Sequence, residues 1–199
     1  MNTPFLPRLI FFLCLTLLLS FTQVSAAEPQ KHNQPIKANI ESAFISGIGA
    51  ANIPEGHYQP VLLIWHLGID MKKYFPLLEK HRGSLSGFLE TQFNPAINPD
   101  DNFEFGISPG IQYRYPFTEK LAGYLLVSIG PHYISLVTAR QANGFIFSDT
   151  IGGGFYYSLS GNSAITLGYR WRHLSNAGLA MPNDGINAHF ITLGYAVFF

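Results

Sequence analysis

Asn102–Tyr115 has the sequence NFEFGISPGIQYRY, in which two kinds of side chain alternate. The odd-numbered positions, from Phe103 onward, are apolar or aromatic. The even-numbered positions include the charged residues Glu104 and Arg114. Because successive side chains of a β-strand point to opposite faces, this alternation predicts a strand with one apolar and one charged face. This length and polarity are typical of a membrane-spanning strand whose apolar face contacts lipid.

The same alternation continues along the chain from about Ser42 to the C-terminus. It predicts eight strands, at about 42–51, 58–69, 84–95, 102–115, 120–134, 144–159, 163–176 and 186–199. An even number of strands allows the first and last to pair, which leaves no unpaired sheet edge in lipid. The predicted fold class is therefore all-β, an eight-stranded antiparallel transmembrane β-barrel over residues 27–199.

The connections between these strands predict which end of the barrel is which. With the mature N-terminus in the periplasm, the loops near 52–57, 96–101, 136–143 and 177–185 face outside. Short periplasmic turns and longer outer loops are the usual arrangement in such barrels. The segment 70–83 is long for a periplasmic turn, and its LLEKH core is a candidate short helix.

Residues 1–26 have the three-part pattern of a secretory signal peptide. Arg8 supplies a positive charge, an apolar run follows over 9–19, and the small residues at 24–26 precede a cleavage site. The apolar run is short for an uncleaved membrane anchor, since a spanning helix needs about 20 apolar residues. Cys14, the only cysteine of the chain, lies within the run, so the mature protein has no thiol for disulfides or catalysis.

Composition agrees with a barrel in lipid. Charged residues make up 12% of the chain and aromatic residues 15%, and there are 19 glycines. Removal of Arg8 with the signal peptide leaves 11 basic residues against 12 acids, a net charge of −1. This balance lacks the basic footprint of a nucleic-acid-binding protein. The predicted location is the outer membrane of a Gram-negative cell, where outer-membrane lipid contacts the barrel wall.

The interior of the predicted barrel is polar. The charged and amide side chains at even-numbered positions share the face that points away from lipid, and we expect them to form a salt-bridged network rather than a catalytic site. They are Glu90, Gln92, Glu104, Arg114, Arg170 and Arg172.

The pair His173 and Ser175 is the first candidate for chemistry. The two residues are two apart on one predicted strand, so their side chains share a face, with Cα atoms about 6.5–7 Å apart. A histidine that accepts the hydroxyl proton turns a serine into a nucleophile. The pair has the parity of Trp171 and therefore points outward, where it suits an ester inside a lipid. Asn176 and Asn183 flank the pair and are candidate donors to an oxyanion.

Two polar residues on the last strand share this outward face. Asn187 and His189 have the parity of Ile191. The intervening loop predicts Ser175 roughly opposite Asn187, and His173 roughly opposite His189. An interfacial ring that tolerates both water and lipid is the better interpretation of His189.

The segment around this pair resembles one known family. His173–Leu179, with the sequence HLSNAGL, and Pro182–Ile186, with the sequence PNDGI, closely resemble the lipid A 3-O-deacylase (PagL) family. The resemblance implies that His173 is the general base and Ser175 the nucleophile. It also implies that the enzyme removes the 3-hydroxyacyl chain ester-linked at position 3 of lipid A in lipopolysaccharide, without a cofactor. The terminal Phe199 resembles the signal by which outer-membrane barrels engage their assembly machinery.

One position departs from the family. Its acid member falls on Asn187, and an asparagine can orient a histidine but cannot offset the charge of an imidazolium. In one serine protease the Asp-to-Asn change costs about 10⁴-fold in turnover. Asp149 is a second candidate for the acid, since its parity places it on the lipid face and the turn at 160–162 sets it roughly opposite His173. Which residue orients the histidine stays open at this stage.

Two alternatives from other classes also stay open. One is a non-enzymatic barrel with an adhesin-like or structural role, which the missing family acid favours. The other is an esterase or phospholipase that acts on another lipid, which calcium dependence would favour. No cluster of His, Asp and Glu has the spacing of a zinc or calcium site, so no metal is predicted.

Overall fold

A computed structural model describes residues 39–75, 81–160 and 162–199. The predicted signal peptide at 1–26 lies outside these residues, as does all of the LLEKH segment except His81. Within the described ranges, no helix is long and apolar enough to cross a membrane.

The strands occupy the positions that the alternation predicted. They are β1 (Ile40–Ile53), β2 (Gly56–Tyr58), β3 (Val61–Asp70), β4 (Ser84–Ala96), β5 (Asn102–Pro116), β6 (Leu121–Ile134), β7 (Gly144–Ser160), β8 (Ser163–Ser175) and β9 (Ile186–Phe198). A 3-10 helix, Lys72–Tyr74, follows β3. Every strand end lies within two residues of its predicted position. The second predicted strand is divided into β2 and β3 by Gln59 and Pro60.

The strands form one closed antiparallel sheet. From β3 to β9 each strand pairs with the next in chain order, and β1 pairs with β9, from Glu41 opposite Phe198 to Ala50 opposite His189. Both β2 and β3 pair with β1, at its two ends, so they act as one interrupted strand. The result is the predicted eight-stranded barrel, which has no free sheet edge to be exposed in lipid.

The two faces of the sheet differ in chemistry. The outward side chains are apolar or aromatic and exposed over most of the wall, as the alternation requires. Inside, the two terminal guanidinium nitrogens of Arg170 donate to Glu90, at 2.7 and 2.9 Å, and Arg172 donates to Glu104 at 2.8 Å. These buried side chains confirm the predicted salt-bridged network. Because Arg170 and Arg172 belong to β8, the network anchors that strand from within.

Candidate active site

The pairing of β8 with β9 differs from the predicted register by two residues. His173 lies opposite Asn187, and Trp171 lies opposite His189. The prediction of Ser175 opposite Asn187, and of His173 opposite His189, was therefore wrong. Gly185 ends the loop in a left-handed conformation, with φ of 75°, and regular pairing begins at the next residue. Since the shift is an even number, all of these side chains keep their predicted outward face.

The structure joins His173 to Asn187. The Nδ1 atom of His173 lies 2.8 Å from the Oδ1 atom of Asn187. An amide oxygen can only accept, so Nδ1 carries the ring proton and Nε2 is left with a free lone pair. This is the tautomer in which the outer ring nitrogen can act as a base. Asn187 therefore has the geometry of a residue that orients the imidazole.

Two neighbours fix the plane of the His173 ring. The Trp171 ring stacks beside it, with centroids 6.2 Å apart and an interplanar angle of 20°. On the other side lies Gly185, where an added Cβ atom would come within 2.4 Å of Cε1 and 3.0 Å of Nε2 of His173. The absence of a side chain at this position is thus a steric condition for the observed ring orientation.

Substitution of Gly185 with alanine is expected to lower enzyme activity about tenfold. The new methyl group would collide with the His173 ring, and φ of 75° is unfavourable for any residue with a Cβ atom. The measurement is the rate of acyl release by the purified, refolded variant. Gly178 has a similar φ of 81° but open space around its Cβ position, so Gly178→Ala is the control for backbone strain alone. Equal losses in both variants would contradict the steric explanation.

Ser175 is the last residue of β8 and lies on the same outward face as His173. It is half-buried and sits opposite Phe147 of β7. The strand geometry keeps its Cα atom about 6.5–7 Å from that of His173, a separation that a histidine ring can bridge. The pair therefore lies at the end of the lipid-facing wall, next to the loop 176–185.

Asp149 lies directly opposite His173 on β7. The predicted register of this hairpin is thus confirmed, and the carboxylate is on the lipid-facing side of the sheet. Its Oδ1 atom is buried and makes no hydrogen bond within the described part of the chain. The hydrogen bond of His173 goes to Asn187 instead. Asp149 is therefore a neighbouring carboxylate rather than a bonded partner of the ring.

The two asparagines proposed as oxyanion donors have different surroundings. Asn176 is only 1% exposed, its Nδ2 donates to the Ala180 carbonyl at 2.8 Å, and its Oδ1 accepts from the Gly178 N–H at 3.0 Å. Its backbone N–H donates to Oδ1 of Asn183 at 2.8 Å. Asn176 thus shapes the loop. The bond to Asn183 uses only its Oδ1 atom, so the Nδ2 group of Asn183 can donate to an oxyanion.

A second loop at the same end of the barrel holds the site loop in position. Residues 140–142 and 182–184 run antiparallel, with a bridge between Gln141 and Asn183. Backbone hydrogen bonds flank the bridge, from Ala142 N–H to the Pro182 carbonyl at 2.8 Å and from Asp184 N–H to the Arg140 carbonyl at 2.7 Å. The position of Asn183 is therefore set by a loop that belongs to another hairpin.

Glu55 in turn fixes that second loop. Its carboxylate accepts hydrogen bonds from the Thr138 hydroxyl and the Ala139 N–H, both at 2.6 Å. These bonds hold the pKa of the Glu55 carboxyl below its ordinary value of 4.5. Sequence reasoning did not find Glu55, because 83 residues separate it from Thr138 and no local pattern signals such a contact.

Replacement of Glu55 with glutamine is expected to reduce enzyme activity about two- to fivefold at neutral pH, since an exposed contact of this kind is weak. Because the pKa of the Glu55 carboxyl is lowered, the stabilisation from its two hydrogen bonds is fully present above pH 4.5. It is lost as the pH falls through the pKa that Glu55 has in the folded protein. The activity ratio of wild type to variant should thus approach one below that range. A ratio that does not change with pH would contradict this account.

The closed barrel places the chain among the integral outer-membrane proteins, and the polar cluster on its lipid-facing wall gives it the features of a membrane enzyme. The family model of lipid A 3-O-deacylase (PagL) matches residues 61–196, which include all of β8 and the site loop. The chain belongs to this family. It is a lipid A deacylase, a hydrolase of the outer membrane that acts on lipid A.

Solved structures share the fold. The crystal structure of the outer membrane enzyme PagL is 20% identical, with a TM-score of 0.56 over 79% of this chain and 99% of that one. Neisserial surface protein A is 12% identical, with a TM-score of 0.58 over 81% and 98%. The attachment invasion locus protein Ail of Yersinia pestis is 13% identical, with a TM-score of 0.50 over 81% and 99%. A search of curated proteins found no match.

Proposed function

We propose that this deacylase is a serine esterase that removes the 3-O-linked 3-hydroxyacyl chain of lipid A at the outer leaflet. The observation that carries the proposal is the hydrogen bond of 2.8 Å between His173 Nδ1 and Asn187 Oδ1, on the same outward face as Ser175. That bond leaves Nε2 of the ring as the base beside a serine. A lipid ester reaches such a pair laterally, from within the membrane.

The proposed reaction has two steps. His173 Nε2 takes the proton of the Ser175 hydroxyl as Oγ attacks the ester carbonyl carbon, and the tetrahedral intermediate collapses with release of the sugar oxygen. His173 returns the proton to that oxygen. Water then attacks the acyl-enzyme with His173 again as base, which frees the 3-hydroxy fatty acid and regenerates Ser175. Asn183 is the proposed donor to the oxyanion, through its Nδ2 group, and Asn176, whose own donors are bonded within the loop, holds Asn183 in place.

The outer leaflet is the proposed side because of the loops. The site lies at the barrel end that has the loops 135–143 and 176–185, whereas two of the three connections at the other end, 117–120 and 161–162, are short and the third, 71–83, is long. Longer loops outside and short turns in the periplasm are usual for these barrels. Lipid A belongs to lipopolysaccharide, and an ester at headgroup depth would meet Ser175 where the wall ends.

In this proposal two residues replace the acid of the family: one orients His173 and the other stabilises its positive charge. Asn187 orients His173 through the bond of 2.8 Å, and Asp149 stabilises the imidazolium through space from the adjacent strand. The buried, unbonded Oδ1 atom of Asp149 supports this, because an unpaired carboxylate favours a cation beside it. Asp149 is thus proposed as a positioning and electrostatic residue.

We also propose that the outer-membrane assembly machinery recognises β9. This strand ends at Phe198, followed by Phe199, and pairs with β1 to close the barrel. Removal of residues 1–26 as a signal peptide remains a prediction from the sequence.

Mass spectrometry of lipid A tests the proposed function. Cells that express the chain should lose one 3-hydroxyacyl chain from lipid A, relative to cells that lack it, and activity should survive chelation of divalent cations. Unchanged lipid A, with the protein folded in the outer membrane, would contradict the proposal. Release of fatty acid from phospholipid, especially in a calcium-dependent reaction, would instead indicate a phospholipase.

A further inference from the structure

Aromatic side chains on the outer wall form a continuous row that leads to the site. On the lipid-facing side, Phe93 of β4 pairs with Phe105 of β5, Phe105 pairs with Tyr133 of β6, and Tyr133 pairs with Phe145 of β7. Paired residues on one face of a sheet have Cβ atoms about 4.5–5.5 Å apart, so side chains at such positions are direct neighbours. The row thus crosses four neighbouring strands without interruption.

With Phe103 and Phe147 included, ring contacts form a group of four rings on β4 to β6 and a separate pair on β7. The centroid distances are 5.3 Å for Phe105–Tyr133, 6.1 Å for Phe93–Phe103, 6.3 Å for Phe103–Phe105, 6.0 Å for Phe103–Tyr133 and 5.1 Å for Phe145–Phe147. The first four pairs are stacked and the last is edge-to-face. The six residues Phe93, Phe103, Phe105, Tyr133, Phe145 and Phe147 are named the aromatic row. Interlocked rings of this kind present a stiff surface, because each ring restricts its neighbours.

The aromatic row ends at the nucleophile. Phe147 lies directly opposite Ser175 in the pairing of β7 with β8. Beyond the site, the outward positions of β9 and β1 near the same end are Asn187, His189 and Ile48. An interfacial girdle would be expected to surround the barrel. Trp65 of β3 and Trp171 of β8 are also outward rings, but the stacked phenylalanine and tyrosine rings lie on β4 to β7 and adjoin Ser175.

We propose that the aromatic row binds the acyl chains of lipid A that are not cleaved, and so aligns the scissile ester on Ser175. This inference rests on the proposed serine esterase. The occupant is hydrocarbon because the rings of the row are apolar and lie on the lipid-facing wall, at the level where the acyl chains begin. A lipid with several acyl chains covers several strands at once, whereas a lipid with two chains covers fewer. Because the surface is already stiff, the protein loses little conformational entropy when several chains bind, which favours the multi-chain substrate.

Alanine substitution of Phe145 tests the inference against a matched control. Phe145 and Phe155 lie on the same strand, face lipid and are both 51% exposed, but only Phe145 belongs to the aromatic row. The ratio of kcat/KM for lipid A to that for a soluble short-chain nitrophenyl ester should fall about three- to tenfold in Phe145→Ala, mainly through KM. It should keep its wild-type value in Phe155→Ala.

Binding measurements separate this inference from the proposed function. In Ser175→Ala protein, folded in detergent micelles, the Kd for lipid A should rise about three- to tenfold when Phe145→Ala is added, and should not rise when Phe155→Ala is added. Equal effects of the two substitutions, or none, would overturn the inference even if the wild-type protein is an active esterase. Weaker binding in the Phe145→Ala protein alone would uphold the row as a lipid A site even if Ser175 proved not to be the nucleophile.

Discussion

Replacement of Ser175 with alanine is expected to lower the rate of lipid A deacylation by a factor on the order of 10⁴. The hydroxyl is the atom that forms the acyl-enzyme, and no other group near His173 can replace it. The effect should appear in kcat, since Ser175 contributes little to the lipid-facing surface that binds substrate. Loss of a 3-hydroxyacyl chain, followed by mass spectrometry of purified lipid A over time, gives the rate.

A second serine on the outer wall provides the control. Ser46 of β1 has outward parity and is half-buried like Ser175, but it lies on another strand, opposite Leu63 and Leu193. Ser46→Ala should therefore retain the wild-type rate. Both variants, like the wild type, are expected to migrate as folded barrels before boiling. Deacylation at an unchanged rate by folded Ser175→Ala protein would exclude the serine esterase mechanism.

The architecture could be predicted from the sequence because every strand has a lipid-facing side. A wall in lipid must be apolar at every second residue, so the period is visible from Phe103 to Tyr115 without any knowledge of pairing. The same rule placed His173 and Ser175 outward. The pairing of Asp149 with His173 followed as well, because only a short turn at 160–162 connects β7 to β8.

The register across the site loop could not be predicted in the same way. Ten residues separate Ser175 from Ile186, and a loop of that length permits several pairings with the same parity. Gly185 selects one of them through its left-handed backbone, and that choice brings Asn187 rather than His189 to His173. The hydrogen bonds of Glu55 with Thr138 and Ala139 could not be predicted from the sequence either, since they join loops of different hairpins.

Conversion of Asn187 to aspartate is expected to raise the deacylation rate about 100-fold. The substitution keeps the shape of the side chain and the acceptor at 2.8 Å from His173 Nδ1, and it adds the negative charge that stabilises the imidazolium in the transition state. The gain is smaller than the 10⁴-fold seen on loss of such a charge in one serine protease, because Asp149 already provides part of the field. Asn187→Leu, which has similar size but no acceptor, should lose most of the activity.

The size of this gain measures what Asp149 contributes. If Asp149 stabilises the imidazolium through space, Asp149→Asn should lower the wild-type rate about tenfold, but should have little effect once Asn187 is aspartate. The two substitutions would then be non-additive, as expected for charges that act on the same ring. Strict additivity in this double-mutant cycle would contradict a shared role. If Asp149→Asn instead left the wild-type rate unchanged, Asn187 would be the sole partner of His173, and the hydrogen bond without a charge would suffice for the turnover of this enzyme.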